Sequence, residues 1–240
     1  MDLLSQNRTH HITQESMSLL PNYFRWMYRI YVDYIRGTVL ELGCGAGLGL
    51  RYLGPNAEEV YAVDHNAELL TRAASVELDC PLHIAQSDLT GDWSELSNIR
   101  ADTIVAMDVL EHFEDDHYFL QHAKSLLKRD GHIIFKVPAQ SKLYGAVDTA
   151  SGHFRRYDKD DIYSLASHNG LCVKELRSIN VLGSLAYRFK RDNTSSFSKT
   201  FEPWQLQLIN RLMPIIGIID GITPGIGLSY ICVLKATQQA

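Results

Sequence analysis

Glu41, Asp64 and Asp88 are three carboxylates that stand at or just after the ends of short apolar runs, and Gly43-Cys44-Gly45-Ala46-Gly47 lies between the first two. Carboxylates accept hydrogen bonds from hydroxyl and amine donors. Glycine has no Cβ and tolerates positive φ, so Gly43, Gly45 and Gly47 let a ligand approach the backbone closely. Asp64 closes the run Val60-Tyr61-Ala62-Val63, where a nucleoside ribose would need a hydroxyl acceptor. The combination points to a nucleoside cofactor. The dinucleotide fingerprint G-x-G-x-x-G is absent, because its sixth position falls on Leu48, Leu50 or Tyr52.

Two further clusters carry chemistry. Met107-Asp108 ends an apolar run, and His112 follows closely. Neutral imidazole accepts a proton near pH 7, so His112 is a candidate general base; a structural or helix-capping histidine is the alternative. Downstream lies Gly152-His153-Phe154-Arg155-Arg156-Tyr157. His153 and Tyr157 are further candidates for proton transfer. Arg155 and Arg156 suit an anionic or polyhydroxylated acceptor, because guanidinium grips oxyanions with paired hydrogen bonds. Tyr144 and Asp148 belong to the same loop. An internal ion-pair network through Asp148 or Asp160 explains the cluster equally well.

The elements that must position these groups alternate along the chain. Strands are expected at 38–42, 59–64, 82–86, 102–107, 131–137, 171–178 and 227–235. Helices are expected at 15–35, 47–54, 66–77, 115–128 and 159–168, with a helical pattern over Pro203–Leu212. Asn66 reads as an N-cap, and Asn169-Gly170 as a left-handed C-terminal cap. Alternation of this kind predicts an α/β fold with a doubly wound, mostly parallel seven-stranded sheet. About 45 residues separate the last two strands, too many for a hairpin loop, so an insertion over 180–226 is expected.

E-x-G-x-G-x-G at Glu41–Gly47 resembles motif I of the class I S-adenosylmethionine (SAM)-dependent methyltransferases. The likeness extends through Asn22-Tyr23-x-Arg25-Trp26, Val109-Leu110-Glu111-His112, Val137-Pro138-Ala139, Leu143-Tyr144-Gly145-x-x-Asp148, Gly152-His153-x-Arg155-Arg156-Tyr157 and Pro224-Gly225-Ile226-Gly227. It implies a Rossmann-like domain over 37–240 that binds SAM, preceded by a helical extension or lid over 1–36. The implied cofactor set is Glu41, Gly43, Gly45, Gly47, Asp64, Asp88 and Asp108, with their neighbours Cys44, His65, Leu89 and Met107. Arg25 joins it as a partner for the SAM carboxylate. Acceptors in this branch are largely undefined, and the resemblance implies a small-molecule, glycan or lipid-linked acceptor. A non-catalytic SAM-binding scaffold and a nicotinamide oxidoreductase are the alternatives.

The 240 residues fit one domain with additions, and 45% hydrophobic against 21% charged residues is ordinary for a globular core. The net charge of −5 gives no electrostatic reason to expect nucleic acid. Cys44, Cys80, Cys172 and Cys232 lack C-x-x-C spacing, so reduced thiols in a cytoplasmic protein are expected, and no metal site. The first residues lack the pattern of a signal peptide. The apolar region Leu212–Leu234 is broken by Pro214, Asp220 and Pro224, which argues against a membrane span; a peripheral membrane contact remains an expectation.

Overall fold

The computed structural model describes residues 15–190, 202–222 and 225–237. Seven strands form one sheet: β1 Thr38–Leu42, β2 Glu59–Asp64, β3 Leu82–Gln86, β4 Ala101–Met107, β5 Leu127–Pro138, β6 Leu171–Ile179 and β7 Ser229–Ala236. Their order is β3-β2-β1-β4-β5-β7-β6. Strands β1 to β5 are parallel, and β7 runs antiparallel to both β5 and β6. The fold is therefore the expected doubly wound, mostly parallel α/β sheet. Every residue of β1 is buried, which explains why Val39, Leu40 and Leu42 are apolar, with Thr38 and Glu41 as the two polar exceptions. Two apolar clusters fill the space on the faces of the sheet, around Leu40, Ile104 and Phe135 and around Val39, Val105 and Ile134.

The helices are α1 Pro21–Arg29, α2 Leu50–Leu53, α3 Ala67–Ala73, α4 Asp116–Leu126, α5 Ala146–Ala150, α6 Lys159–His168, α7 Val181–Lys190 and α8 Pro203–Ile222. Asn66 caps α3, accepting from Glu68 N and Leu69 N at 3.0 and 3.2 Å. Gly170 follows α6 at φ +62°, as a left-handed cap requires. The expected helix over 15–35 is shorter, since Pro21 starts α1 and a 3-10 turn at Val32–Tyr34 follows it. The expected helix over 47–54 shrinks to α2, because the glycine turn occupies its first residues. Strand β5 begins earlier than 131, pairing Leu127 with Ala101 across an irregularity in register.

The insertion contains α7 and α8. Helix α8 continues past Pro214 to Ile222, where the sequence pattern ended at Leu212. Buried Asp220 explains part of this extension: its carboxylate accepts from Asn180 N and Val181 N and so caps the start of α7. The basic segment Arg188–Lys199 lies largely outside the described residues. No described helix is long and apolar enough to cross a membrane.

Helix α1 docks on α8. Asn22 N donates to Asn210 Oδ1 at 2.7 Å, and Asn22 Nδ2 donates to Asn210 O at 3.0 Å. A Cβ on Gly217 would stand 2.6 Å from Trp26 Nε1, so the indole lies directly against α8. The N-terminal extension and the insertion thus pack together beside the carboxyl ends of the central strands.

Candidate cofactor and acceptor site

The turn after β1 folds back on β2. Gly43 N and Cys44 N both donate to Val63 O, at 2.8 and 2.9 Å. Gly43, Gly45 and Gly47 have φ of +75°, +53° and +77°, which side chains rarely tolerate. Packing adds a second reason for two of them. A Cβ on Gly43 would lie 2.5 Å from Val109 Cγ2, and one on Gly47 would lie 2.9 Å from Ala73 Cα.

Asp64 organises this turn. Its Oδ2 accepts from Gly45 N at 2.8 Å and its Oδ1 from Asn66 N at 2.9 Å. An ionised carboxylate has about four acceptor positions, so capacity for a hydroxyl remains. His65 Nδ1 lies 3.5 Å from Asp64 Oδ1, with its side chain largely exposed. Cys44 is buried, which pushes its thiol pKa up and leaves it unreactive.

Glu41 is 4% exposed. Tyr28 of α1 donates to its Oε1 at 3.1 Å, while Oε2 is buried with no hydrogen-bond partner among the described residues. Burial pushes the pKa of Glu41 up to about 8, only partly countered by the Tyr28 hydrogen bond. A half-satisfied buried carboxylate suits a ligand that brings a cationic donor. SAM brings an ammonium group, so Glu41 fits it.

At the end of β4, Asp108 adopts φ +57° and is 48% exposed on its side chain. Lys136 of β5 meets it at 2.5 Å. Burial alone would push the Lys136 ammonium pKa down; the Asp108 carboxylate outweighs this and raises it. Tyr23 OH lies 3.4 Å from Lys136 Nζ, and Tyr31 OH lies 3.8 Å from Met107 Sδ. Helix α1 and the turn after it therefore set three tyrosines beside this edge: Tyr23 and Tyr28 from the helix and Tyr31 from the turn. Arg25, expected near the SAM carboxylate, is exposed and donates instead to Asn22 Oδ1 within α1. Asp88 is exposed and accepts from Thr90 N and Thr90 Oγ1 through Oδ1, beside buried Leu89.

The 144–157 loop is a closed network. Asp148 Oδ2 accepts from Arg156 Nε at 2.9 Å, Tyr187 OH at 2.7 Å and Gly145 N at 3.0 Å. Asp148 Oδ1 meets His153 Nδ1 at 3.1 Å. Burial pushes the Asp148 pKa up, but the His153, Arg156 and Tyr187 hydrogen bonds outweigh this and hold it at about 2. Arg156 also stacks on the Tyr187 ring at 4.3 Å. Arg155 pairs with Asp116 Oδ2 at 2.9 Å and donates to Glu114 O. Tyr144 OH donates to His153 O at 2.7 Å.

The internal-network alternative therefore describes Asp148 and Arg156. Tyr157 corrects its catalytic expectation: it is 1% exposed, and its hydroxyl pairs with Asp116 Oδ2 at 3.0 Å. Burial pushes its pKa well up, so it neither reaches solvent nor ionises readily. His112 is half-buried and meets Gly152 O through Nδ1 at 3.2 Å.

The profile of a methyltransferase-domain family matches residues 23–176. The chain belongs to that family. This methyltransferase domain is 29% identical over 99 residues to a ubiquinone biosynthesis O-methyltransferase of Serratia proteamaculans, covering 41% of each chain. It is 28% identical over 150 residues to a probable S-adenosylmethionine-dependent methyltransferase of Mycobacterium tuberculosis, covering 58% of this chain and 53% of that one. The chain thus spans about half the length of these curated relatives. The fold superposes on a DhpI–SAH complex with a TM-score of 0.61 at 17% identity, over 98% and 96% of the two chains. That likeness establishes the Rossmann-like fold of SAM-dependent methyltransferases.

Four residues beside the candidate site carry no expectation from the sequence. Tyr28 and Gly49 frame Glu41, and a Cβ on Gly49 would stand 1.9 Å from Tyr28 OH. Lys136 had a visible signal, a lone cation inside Ile133-Ile134-Phe135-Lys136-Val137. Glu111 lies within Val109-Leu110-Glu111-His112 and is the most buried carboxylate of the set.

Proposed function

We propose that the protein transfers a methyl group from SAM to an oxygen of a small or lipid-linked acceptor. The observation that carries the cofactor half is Glu41, a buried carboxylate with one unpartnered oxygen beside a turn of positive-φ glycines. Glu41 would take the ammonium of SAM, and Asp64 its ribose hydroxyls. When bound, SAM supplies an electrophilic methyl group on a sulfonium. The chain supplies alignment, which accounts for much of the rate in a displacement with so good a leaving group. Helix α1 and the turn that follows it bring Tyr23, Tyr28 and Tyr31 against the same edge and exclude water there. His112 takes the proton that an acceptor hydroxyl must lose.

Oxygen as the acceptor atom is supported by the O-methyltransferases among the relatives. A lipid-linked acceptor is supported by α8, which exposes Trp204, Leu208, Leu212, Ile215, Ile218 and Ile222. At 100° per residue these fall within an arc of about 120°. Such a stripe suits the interface of a bilayer and would hold the protein beside a membrane-borne substrate.

Calorimetric titration with S-adenosylhomocysteine (SAH), run beside Asp64→Ala, tests the cofactor half. Binding that disappears in the variant is expected. Well-folded protein that binds no SAH would sink the proposal. Transfer of labelled methyl from SAM to hydroxylated small molecules or extracted lipids then tests the acceptor half.

A further inference from the structure

Glu111 lies in the 3-10 turn Leu110–His112 that follows β4, and it is 0% exposed. Neither carboxylate oxygen has a hydrogen-bond partner among the described residues. Leaving a buried carboxylate without hydrogen bonds is costly. Two histidines face it. His153 Nε2 is 4.0 Å from Glu111 Oε1, and the His112 and His153 rings meet edge to face at 4.9 Å. One donor atom from each of the three residues lies within 4.8 Å of the other two.

The surroundings hold this group in place. Asp148 Oδ1 grips His153 Nδ1 and turns Nε2 toward Glu111. Gly152 O holds the Nδ1 edge of His112. Phe154 N donates to Glu111 O at 2.8 Å and ties the two segments together. A carboxylate or carbonyl on the outer ring nitrogen is the usual support of a metal-ligating histidine, fixing its tautomer and orientation.

We propose that Glu111, His112 and His153 bind a divalent transition-metal ion of the zinc class. Two imidazoles and one carboxylate suit such an ion and leave a coordination position open. Bonds of about 2.0–2.2 Å to zinc bring neighbouring donors to roughly 3.4 Å, so the 4.0 Å pair needs a contraction of about half an ångström and a pair at the 4.8 Å limit one of about 1.4 Å. The cation would repay the desolvation of Glu111. Its open position would take an acceptor oxygen and acidify it, so that in the metal-bound protein His112 serves as a ligand and the ion replaces it as the means of ionising the acceptor. That role rests on the methyltransferase reading, whereas binding of the ion does not. His153 stands 41 positions beyond the adjacent pair Glu111-His112, which is why no short sequence motif announced the set.

The test uses chelator-treated full-length protein, titrated with Zn2+ by calorimetry and with Co2+ by visible absorption. One ion per chain is expected. Glu111→Gln and His112→Ala should each weaken binding at least about tenfold, with SAH binding and the melting temperature kept near wild type. If Glu111→Gln fails to fold, His112→Ala at its half-buried position decides alone. His168→Ala serves as the control, because His168 and His117 form a separate histidine pair. Failure of both ions to bind, or binding lost in His168→Ala and kept in His112→Ala, would overturn the site. Metal binding without SAH binding would keep the site and sink the methyltransferase proposal instead.

Discussion

Tyr28 donates to Oε1 of Glu41 at 3.1 Å and leaves Oε2 of the same carboxylate buried and unpartnered. The N-terminal helix thus reaches the first carboxylate of the glycine motif directly. It holds one oxygen, and the other stays available to a ligand. This relationship links the extension, the central strand and the cofactor turn.

Glu41→Gln should separate stability from binding. The pKa of Glu41 is pushed up to about 8 in the folded chain, above its ordinary 4.5. The folded state therefore holds the extra proton. This stability is fully present below pH 4.5 and is lost as pH rises through about 8. Between pH 6 and 9 the wild type should lose roughly 3 kcal/mol relative to Glu41→Gln, measured by urea unfolding. SAH affinity should behave oppositely on the acid side, since the ammonium needs the ionised carboxylate. It should fall roughly tenfold from pH 7 to pH 6 in the wild type and be weak and flat there in Glu41→Gln. Parallel pH profiles for both proteins would remove Glu41 from the cofactor site.

Gly49→Ala tests the frame around that pair. The new Cβ would stand 1.9 Å from Tyr28 OH and 2.7 Å from Glu41 Oε1. Overpacking of this kind costs about 1–3 kcal/mol. Melting temperature and SAH affinity should both fall. Adding Tyr28→Phe removes the hydroxyl that clashes, so the double variant should regain part of the lost stability. A strictly additive cycle would show that the two residues do not meet as described.

Arg155 and Arg156 should part company. Arg156 is buried against Asp148, and its removal leaves a buried carboxylate short of its cation. Arg156→Ala should cost about 3–5 kcal/mol by thermal or denaturant unfolding. Arg155 is partly exposed, so Arg155→Ala should cost about 1 kcal/mol or less and leave SAH binding unchanged. Equal losses would show that Arg155 is as much a part of the network as Arg156.

The glycine turn and the strand alternation were legible because both are local. Gly43, Gly45 and Gly47 carry their positive φ wherever the turn forms, and buried parallel strands such as β1 must be apolar runs. The contacts that complete the site are not local. Asn22 meets Asn210 across 188 positions, and neither side of the pair carries a signature. The Gly152–Tyr157 cluster shows the same limit. Its spacing allowed either an acceptor grip or an ion-pair network, and only the approach of Asp148 and Tyr187 from other elements assigns Arg156 to the network. Pro214 misled for a third reason. Helix α8 passes through it because Met213, Asp220 and the docking of α1 hold both sides of the break.

The exposed stripe of α8 makes the last prediction. Ile215 stands at the middle of its arc, and Ile218 at its edge is among its most exposed residues. Replacing both with glutamate leaves the core contacts at Leu206 and Met213 untouched, so the fold and SAH binding should survive. Flotation with anionic phospholipid vesicles should recover the wild type and release the double variant, because each substitution puts a charge where the stripe would meet acyl chains. Methyl transfer to a lipid-borne acceptor should fall with vesicle binding, while transfer to a water-soluble acceptor should not. Vesicle binding that survives both glutamates would mean that α8 does not face the bilayer. Wild-type protein that never binds vesicles would turn the stripe toward a protein partner and leave the acceptor among water-soluble molecules.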